Sequence, residues 1–209
     1  VVRPSLNRLD QFRHQVVGLA RRLLASELLG AIPGAAPDPG LEDAPGRGED
    51  RMKILVLNCG SSSVKYQLID TSSDIALAKG SVSRIGMSAS VLTHKPHDRA
   101  EIKVSAEILD HINAVNYVLS ILVSPNHGVI KDKSEIEAVG HRVVHGGEQF
   151  SDSVLITPEL MTELRALIEL APLHNPHNIR GIRACRQALP DVQQVAVFDT
   201  SLHHKMPPH

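Results

Sequence analysis

The sequence predicts an α/β fold, a three-strand β-meander followed by helices that alternate with strands. Two patterns carry the prediction. From Met52 the apolar residues fall first in short runs and alternations of strand period; after Glu107 they recur every three to four residues, as on a helix. A sharp change of composition at Met52 sets the boundary, so the fold is read from residues 52–209.

The first strand is 53–58, a continuous apolar run suited to burial on both faces. Turn residues at 59–63 break it, and 64–70 alternates as a second strand. A Thr-Ser-Ser-Asp turn leads to a third strand at 75–85, and weaker strands follow near 90–94 and 101–104. Residues 107–123 form a helix with Ile108, Ile112, Val115, Val118, Leu119 and Leu122 on one side. A strand at 136–144 precedes a helix at 158–170, capped by Thr157 with Pro158 at its first position. A helix at 178–189 and a strand at 192–198 complete the pattern.

Residues 1–51 contain seven Arg and no Lys, whereas all eight Lys lie after Met52. Nine of the nineteen residues from Gly30 to Gly48 are Gly or Pro, which holds neither helix nor strand. Before them, Leu9, Phe12, Val16, Leu19, Leu23 and Leu24 share one face of a helix over 9–29. An organelle-targeting peptide is one reading, weakened by Asp10 and Glu27. A membrane-surface or partner helix is a second. We take the third, a flexible, non-native extension outside the fold, with the natural start at Met52.

Composition excludes several classes. With 22 Lys+Arg against 23 Asp+Glu the net charge is −1, without the basic excess of a nucleic-acid binder. No apolar run approaches the roughly 20 residues of a membrane-spanning helix. Cys59 and Cys185 are too few for a disulfide scaffold or a four-cysteine zinc site. Five aromatics and no Trp leave the core to aliphatic residues. Twelve His residues raise a rival reading, a metal site drawing on His141/His145, His174/His177 or His203/His204. None of these pairs carries the Glu of a His-Glu-x-x-His motif, and spacing by four aligns side chains on a helix, not on the strand read at 141.

Chemistry concentrates where strands end. Segment 58–65 reads Asn-Cys-Gly-Ser-Ser-Ser-Val-Lys. Gly60 permits a tight turn, Ser61 to Ser63 add hydroxyls and Lys65 a positive charge, a donor set for phosphate oxygens. It lacks the Walker spacing, and by composition alone an ordinary Ser-rich hairpin turn is the better reading. Segment 141–147, His-Arg-Val-Val-His-Gly-Gly, presents Arg142, whose guanidinium can grip a carboxylate or phosphoryl group or serve a structural ion pair. Segment 172–178 reads Pro-Leu-His-Asn-Pro-His-Asn, and Asp199 stands just beyond the last strand.

Taken in order, these segments resemble the signatures of the acetate kinase family across residues 52–209. That family belongs to the superfamily of acetate and sugar kinases, heat-shock ATPases and actin. The resemblance implies a ribonuclease-H-like lobe, the first of the two lobes of the acetate kinase fold. It departs from the family at Cys59, usually Ala, at His177, usually Pro, and at Leu202, usually Phe. The implied reaction is reversible, magnesium-dependent phosphoryl transfer from ATP to acetate, giving acetyl phosphate and ADP.

By the same resemblance Arg142 binds substrate and takes part in catalysis, and Val144 and Leu173 form an apolar pocket for the acyl methyl. His174 contacts the moving phosphoryl group, and Asp199 is the essential aspartate. Gly60, Ser61, Ser63 and Lys65 lie along the nucleotide phosphates. Asn58, with Asp199, orients the magnesium shell. The family's second lobe supplies further site residues that have no counterpart here, so this span alone is expected to be inactive. The family dimerises largely through that lobe, so the resemblance does not extend to dimerisation of this chain. A cytoplasmic location is implied, with no membrane or nucleic-acid partner. A propionate or butyrate kinase is the near alternative; a non-catalytic nucleotide- or partner-binding module is the distant one.

Overall fold

The computed structural model describes Val16, Gly18 and residues 52–73, 75–144, 153–169 and 175–198. Their elements are β1 (Lys53–Cys59), β2 (Ser63–Asp70), β3 (Ile75–Ser83), β4 (Ser90–Pro96), β5 (Ile102–Ala106), α1 (His111–Leu122), β6 (Ala138–Val143), β7 (Val154–Leu155), α2 (Pro158–Ala166), α3 (Asn175–Ala188) and β8 (Gln193–Phe198). The strands form one sheet in the order β5-β4-β3-β2-β1-β6-β8-β7. The meander runs through five antiparallel strands, because the two weaker strands join it. The chain then returns through α1 to lay β6 parallel to β1, and β8 parallel to β6.

Strand alternation divides the sheet into two faces. On one face Leu55, Leu57, Val64, Leu68 and Val139 meet Val115, Val118, Leu119 and Leu122 of α1. Farther along that face Val143, Ala196 and Phe198 meet Leu160 and Leu164 of α2 and Ile179 and Ile182 of α3. The opposite face carries a smaller cluster of Ile54, Val56, Ile69, Ala138, Val195 and Val197. Val16, from the segment set aside in the sequence reading, is helical and fully buried in this cluster. It sits on Gly140, where an added Cβ would lie 2.4 Å from Val16 Cγ1. Apart from Val16 and Gly18, both helical, the predicted helix at 9–29 lies outside the described residues, as does the rest of 1–51.

Element ends differ from the sequence reading for local reasons. α1 begins at His111 rather than 107, because Asp110 caps it by accepting from Asn113 N. β3 stops at Ser83, since Arg84 and Gly86 both take positive φ in the turn that follows. Thr157 caps α2 as predicted, accepting from Leu160 N with Pro158 in the first turn. α2 then tightens into a 3₁₀ turn at Leu167–Glu169. α3 starts at Asn175, three residues before the predicted 178, because Pro176 is tolerated in a first turn. β7, absent from the sequence reading, is two residues pairing antiparallel with β8. No helix among the described residues is long and apolar enough to cross a membrane.

Candidate functional site

Register alone gathers the polar residues of the open face. Asn58 pairs with Lys65, Lys65 with Ser81, and Ser81 with Thr93. The parallel pairing of Leu57 with His141 brings the next residue, Arg142, beside Asn58. A second row, one pleat away, runs Gly140, Val56, Gln67, Lys79 and Lys95. Residues up to 84 positions apart in sequence therefore stand side by side on one surface.

These rows line a cavity of about 300 Å³, with Asn58, Lys65, Lys79, Lys95 and Arg142 on its wall and Val56 on its floor. Among the lining residues, four cationic side chains face one carboxylate, Glu101, which also lies 3.8 Å from Lys103. Lys95 Nζ donates to the carbonyl of Arg99. Cations above a partly apolar floor concentrate positive potential, so the cavity is built for an anion.

The turn between β1 and β2 is tied down from behind. Asn178 Nδ2 donates to the Cys59 carbonyl at 2.8 Å, and His111 Nε2 donates to the Gly60 carbonyl at 2.7 Å. Ile85 N donates to Ser62 O at 3.0 Å and Gly60 N to Ser63 O at 2.8 Å. Four carbonyl oxygens that would repel a phosphate are thus held by donors, leaving the Ser hydroxyls as the turn's polar side chains. Ser61 is exposed and lines a separate cavity of about 390 Å³ with His111, Arg180 and Arg183. Gly60 and Ser63 form the turn itself and do not line the cavity of Lys65.

Val144 follows β6, partly buried, and its N–H donates to Asn178 Oδ1 at 3.3 Å. Leu173, His174 and Asp199 lie outside the described residues. His141 points to the helix-covered side and bonds Gln194 Oε1 at 2.8 Å; burial pushes its pKa down to about 4. The Cys59 thiol also faces the helices, and burial raises its pKa to about 12, so it stays protonated and inert. Gly181 of α3 makes room for that thiol, since a Cβ there would stand 2.3 Å from Cys59 Sγ.

The Acetokinase family matches residues 53–209, three quarters of the chain. The chain belongs to the acetokinase family. It is 58% identical over 158 residues to the acetate kinase of Desulfitobacterium hafniense, covering 76% of this chain and 40% of that protein. The acetate kinase of Thermoanaerobacterium thermosaccharolyticum is 57% identical over 156 residues, covering 75% and 39%. Among solved structures, Porphyromonas gingivalis acetate kinase superposes with a TM-score of 0.71 at 46% identity, covering 75% of this chain and 39% of that one. A propionate kinase from Francisella tularensis superposes with a TM-score of 0.66 at 42% identity, over 75% and 39%. The chain therefore spans about 40% of the length of the curated acetokinases it matches.

Sequence reading missed Lys79, Lys95, Gln67, Ser81 and Thr93 in this acetokinase-family cavity. Their only trace in the sequence is the polar half of the alternation in β2, β3 and β4, which reads equally as a solvated face. Asn178 was noted as part of a motif but given no role, because its partners come from strands 34 and 119 residues away.

Proposed function

We propose that this chain carries part of the site of an acyl kinase that transfers the γ-phosphoryl group of ATP to acetate, reversibly, giving acetyl phosphate and ADP. The observation that supports it best is the meeting of Asn58, Lys65 and Arg142 in one cationic cavity, in a chain of the acetokinase family. At about 300 Å³ the cavity is at the small end of ligand sites, suited to a carboxylate and a phosphoryl group.

Acetate is an anion at neutral pH and needs no strong base to attack. The obstacle is bringing two anions together, so rate must come from positioning and charge neutralisation. Arg142 holds the carboxylate and the equatorial phosphoryl oxygens through its paired N–H groups. Lys65 neutralises nucleotide phosphate charge, supported by Lys79 and Lys95; Gly60, Ser61 and Ser63 of the preceding turn lie outside that cavity and are given to the nucleotide phosphates by the family resemblance alone. Val144 and Leu173 border the acyl methyl, His174 donates to the moving group, and Asp199 supplies the acidic charge.

Magnesium fits this donor set as an ion carried in on ATP. Asn58 offers an amide oxygen, a ligand class magnesium accepts, while the surrounding cations disfavour a bare resident ion. Asn58 and Asp199 are the residues that would hold it, directly or through water. Bound there, it would screen the phosphate charge.

The test is hydroxylamine trapping of acyl phosphate formed from ATP, magnesium and acetate. The 209-residue chain alone is expected to give none. A chimera in which residues 52–209 replace the matching part of the Desulfitobacterium hafniense enzyme is expected to turn over, and to stop with Arg142→Ala. A folded chimera that binds ATP but forms no acyl phosphate overturns the proposal. Likeness to a propionate kinase makes chain length of the acid the second question; competition among acetate, propionate and butyrate answers it.

A further inference from the structure

Asn178 links the two strand ends that carry the candidate site. It lies in the first turns of α3 and is 3% exposed. Its Nδ2 donates to the carbonyl of Cys59, the residue after Asn58, and its Oδ1 accepts from the N–H of Val144, two residues after Arg142. Cys59 still pairs with Val64 of β2, but it lies beyond the last β1–β6 pair, Leu57 with His141, and Val144 follows the end of β6, so this side chain bridges the two strands where their own ladder has stopped. A side-chain amide offers a donor and an acceptor on one short planar group that stays uncharged at every pH.

We propose that Asn178 is a positioning residue that sets the spacing between Asn58 and Arg142, and thereby between the nucleotide phosphates and the acyl acceptor. The assignment of ligands rests on the phosphoryl-transfer reading; the clamp itself rests only on the two hydrogen bonds. His111, holding the next carbonyl at Gly60, secures the same turn from α1.

Two variants separate the arms of the clamp. Asn178→Asp keeps an acceptor for Val144 but turns an oxygen toward the Cys59 carbonyl. Asn178→Leu removes both bonds. The titratable groups beside these bonds are His111 on α1, stacked on His177 of α3, and Cys59 on β1 with Cys185 of α3 in the same core cluster. The unmodified chain at each pH supplies their background.

In the 209-residue chain, magnesium-ATP binding by calorimetry is expected to weaken about tenfold in Asn178→Asp at pH 8, the loss of one buried hydrogen bond plus repulsion. It should recover as pH falls and the carboxyl becomes an O–H donor to Cys59, whereas Asn178→Leu stays weak at every pH. In ¹⁵N spectra of the same proteins, Asn178→Leu should shift the Asn58 side-chain amide and the Arg142 Nε–H. Val144 N–H should exchange faster in Asn178→Leu and remain protected in Asn178→Asp. Gln187→Ala, exposed on the same helix, should change none of these.

If the unmodified chain binds no ATP, the ligand reading fails while the spectra still decide the clamp. Unchanged Asn58 and Arg142 signals in a folded Asn178→Leu protein overturn it. So does an Asn178→Asp protein that binds ATP as the unmodified chain does across the pH range. Should Asn178→Leu fail to fold, the pH profile and Val144 exchange of Asn178→Asp decide.

Discussion

On the helix-covered face β1 presents Leu55, Leu57 and Cys59; on the opposite face it presents Ile54, Val56 and Asn58. The first series stays buried to the end of the strand, and the helices of the described fold close over it. The second turns polar at Asn58, where β2, β3 and β6 add Lys65, Ser81 and Arg142. The same strands thus serve packing on one side and charge on the other. Stability and ligand binding should consequently be separable by face.

The largest expected effect is on the packed face. Leu119→Ala in α1, fully buried and remote from the cavity, should lose about 2–5 kcal/mol in denaturant unfolding. A loss below 1 kcal/mol would mean that this core is looser than its burial indicates.

Next comes a pH effect from the same side. His141 has a pKa held down near 4 by burial, against an ordinary value of 6.5. The unfolded chain therefore binds the proton more readily between these values, and stability present above pH 6.5 is lost as pH falls toward 4. Two and a half units correspond to roughly 3 kcal/mol at most. His141→Gln, which keeps a donor for Gln194, should flatten this part of the profile in urea titrations between pH 7 and 4.5.

A smaller effect compares one substitution on both faces. Gly181→Ala drives a Cβ into Cys59 Sγ and should cost about 1–3 kcal/mol, relieved by Cys59→Ala in a double-mutant cycle. Gly140→Ala meets Val16 instead, and Val16→Ala should relieve it. Coupling at the first pair but none at the second would remove Val16 from the second face.

The smallest change in stability is expected within the cavity. Lys79→Ala, exposed on β3, should move the unfolding free energy by no more than about 0.5 kcal/mol. It should nevertheless weaken ATP binding severalfold, more at low salt than at high, as calorimetry at two ionic strengths would show. Equal losses of stability from Lys79→Ala and Leu119→Ala would erase the distinction between the faces.

Much of this was legible in residue order. The apolar run of β1, the alternation of β2 and the Thr157-Pro158 start of α2 are local patterns, and each became the element predicted. Asn58 and Lys65 from one segment and Arg142 from another line one cavity. By contrast β7 is too short to show a period, and Lys79 and Lys95 look like any solvated strand face. Asn178 gave no sign of its partners.

The sequence by itself determined which stretches are helix or strand, where polar turns interrupt them, and which family the chain resembles. Those properties follow from side-chain period, capping and turn chemistry, all of which act over a few residues. Tertiary structure alone decided that β6 lies beside β1, that Val16 covers Gly140, and that one amide joins the Cys59 and Val144 ends. Strand order and register depend on which distant backbone groups find partners and which faces fit together, and that choice leaves no period in the chain.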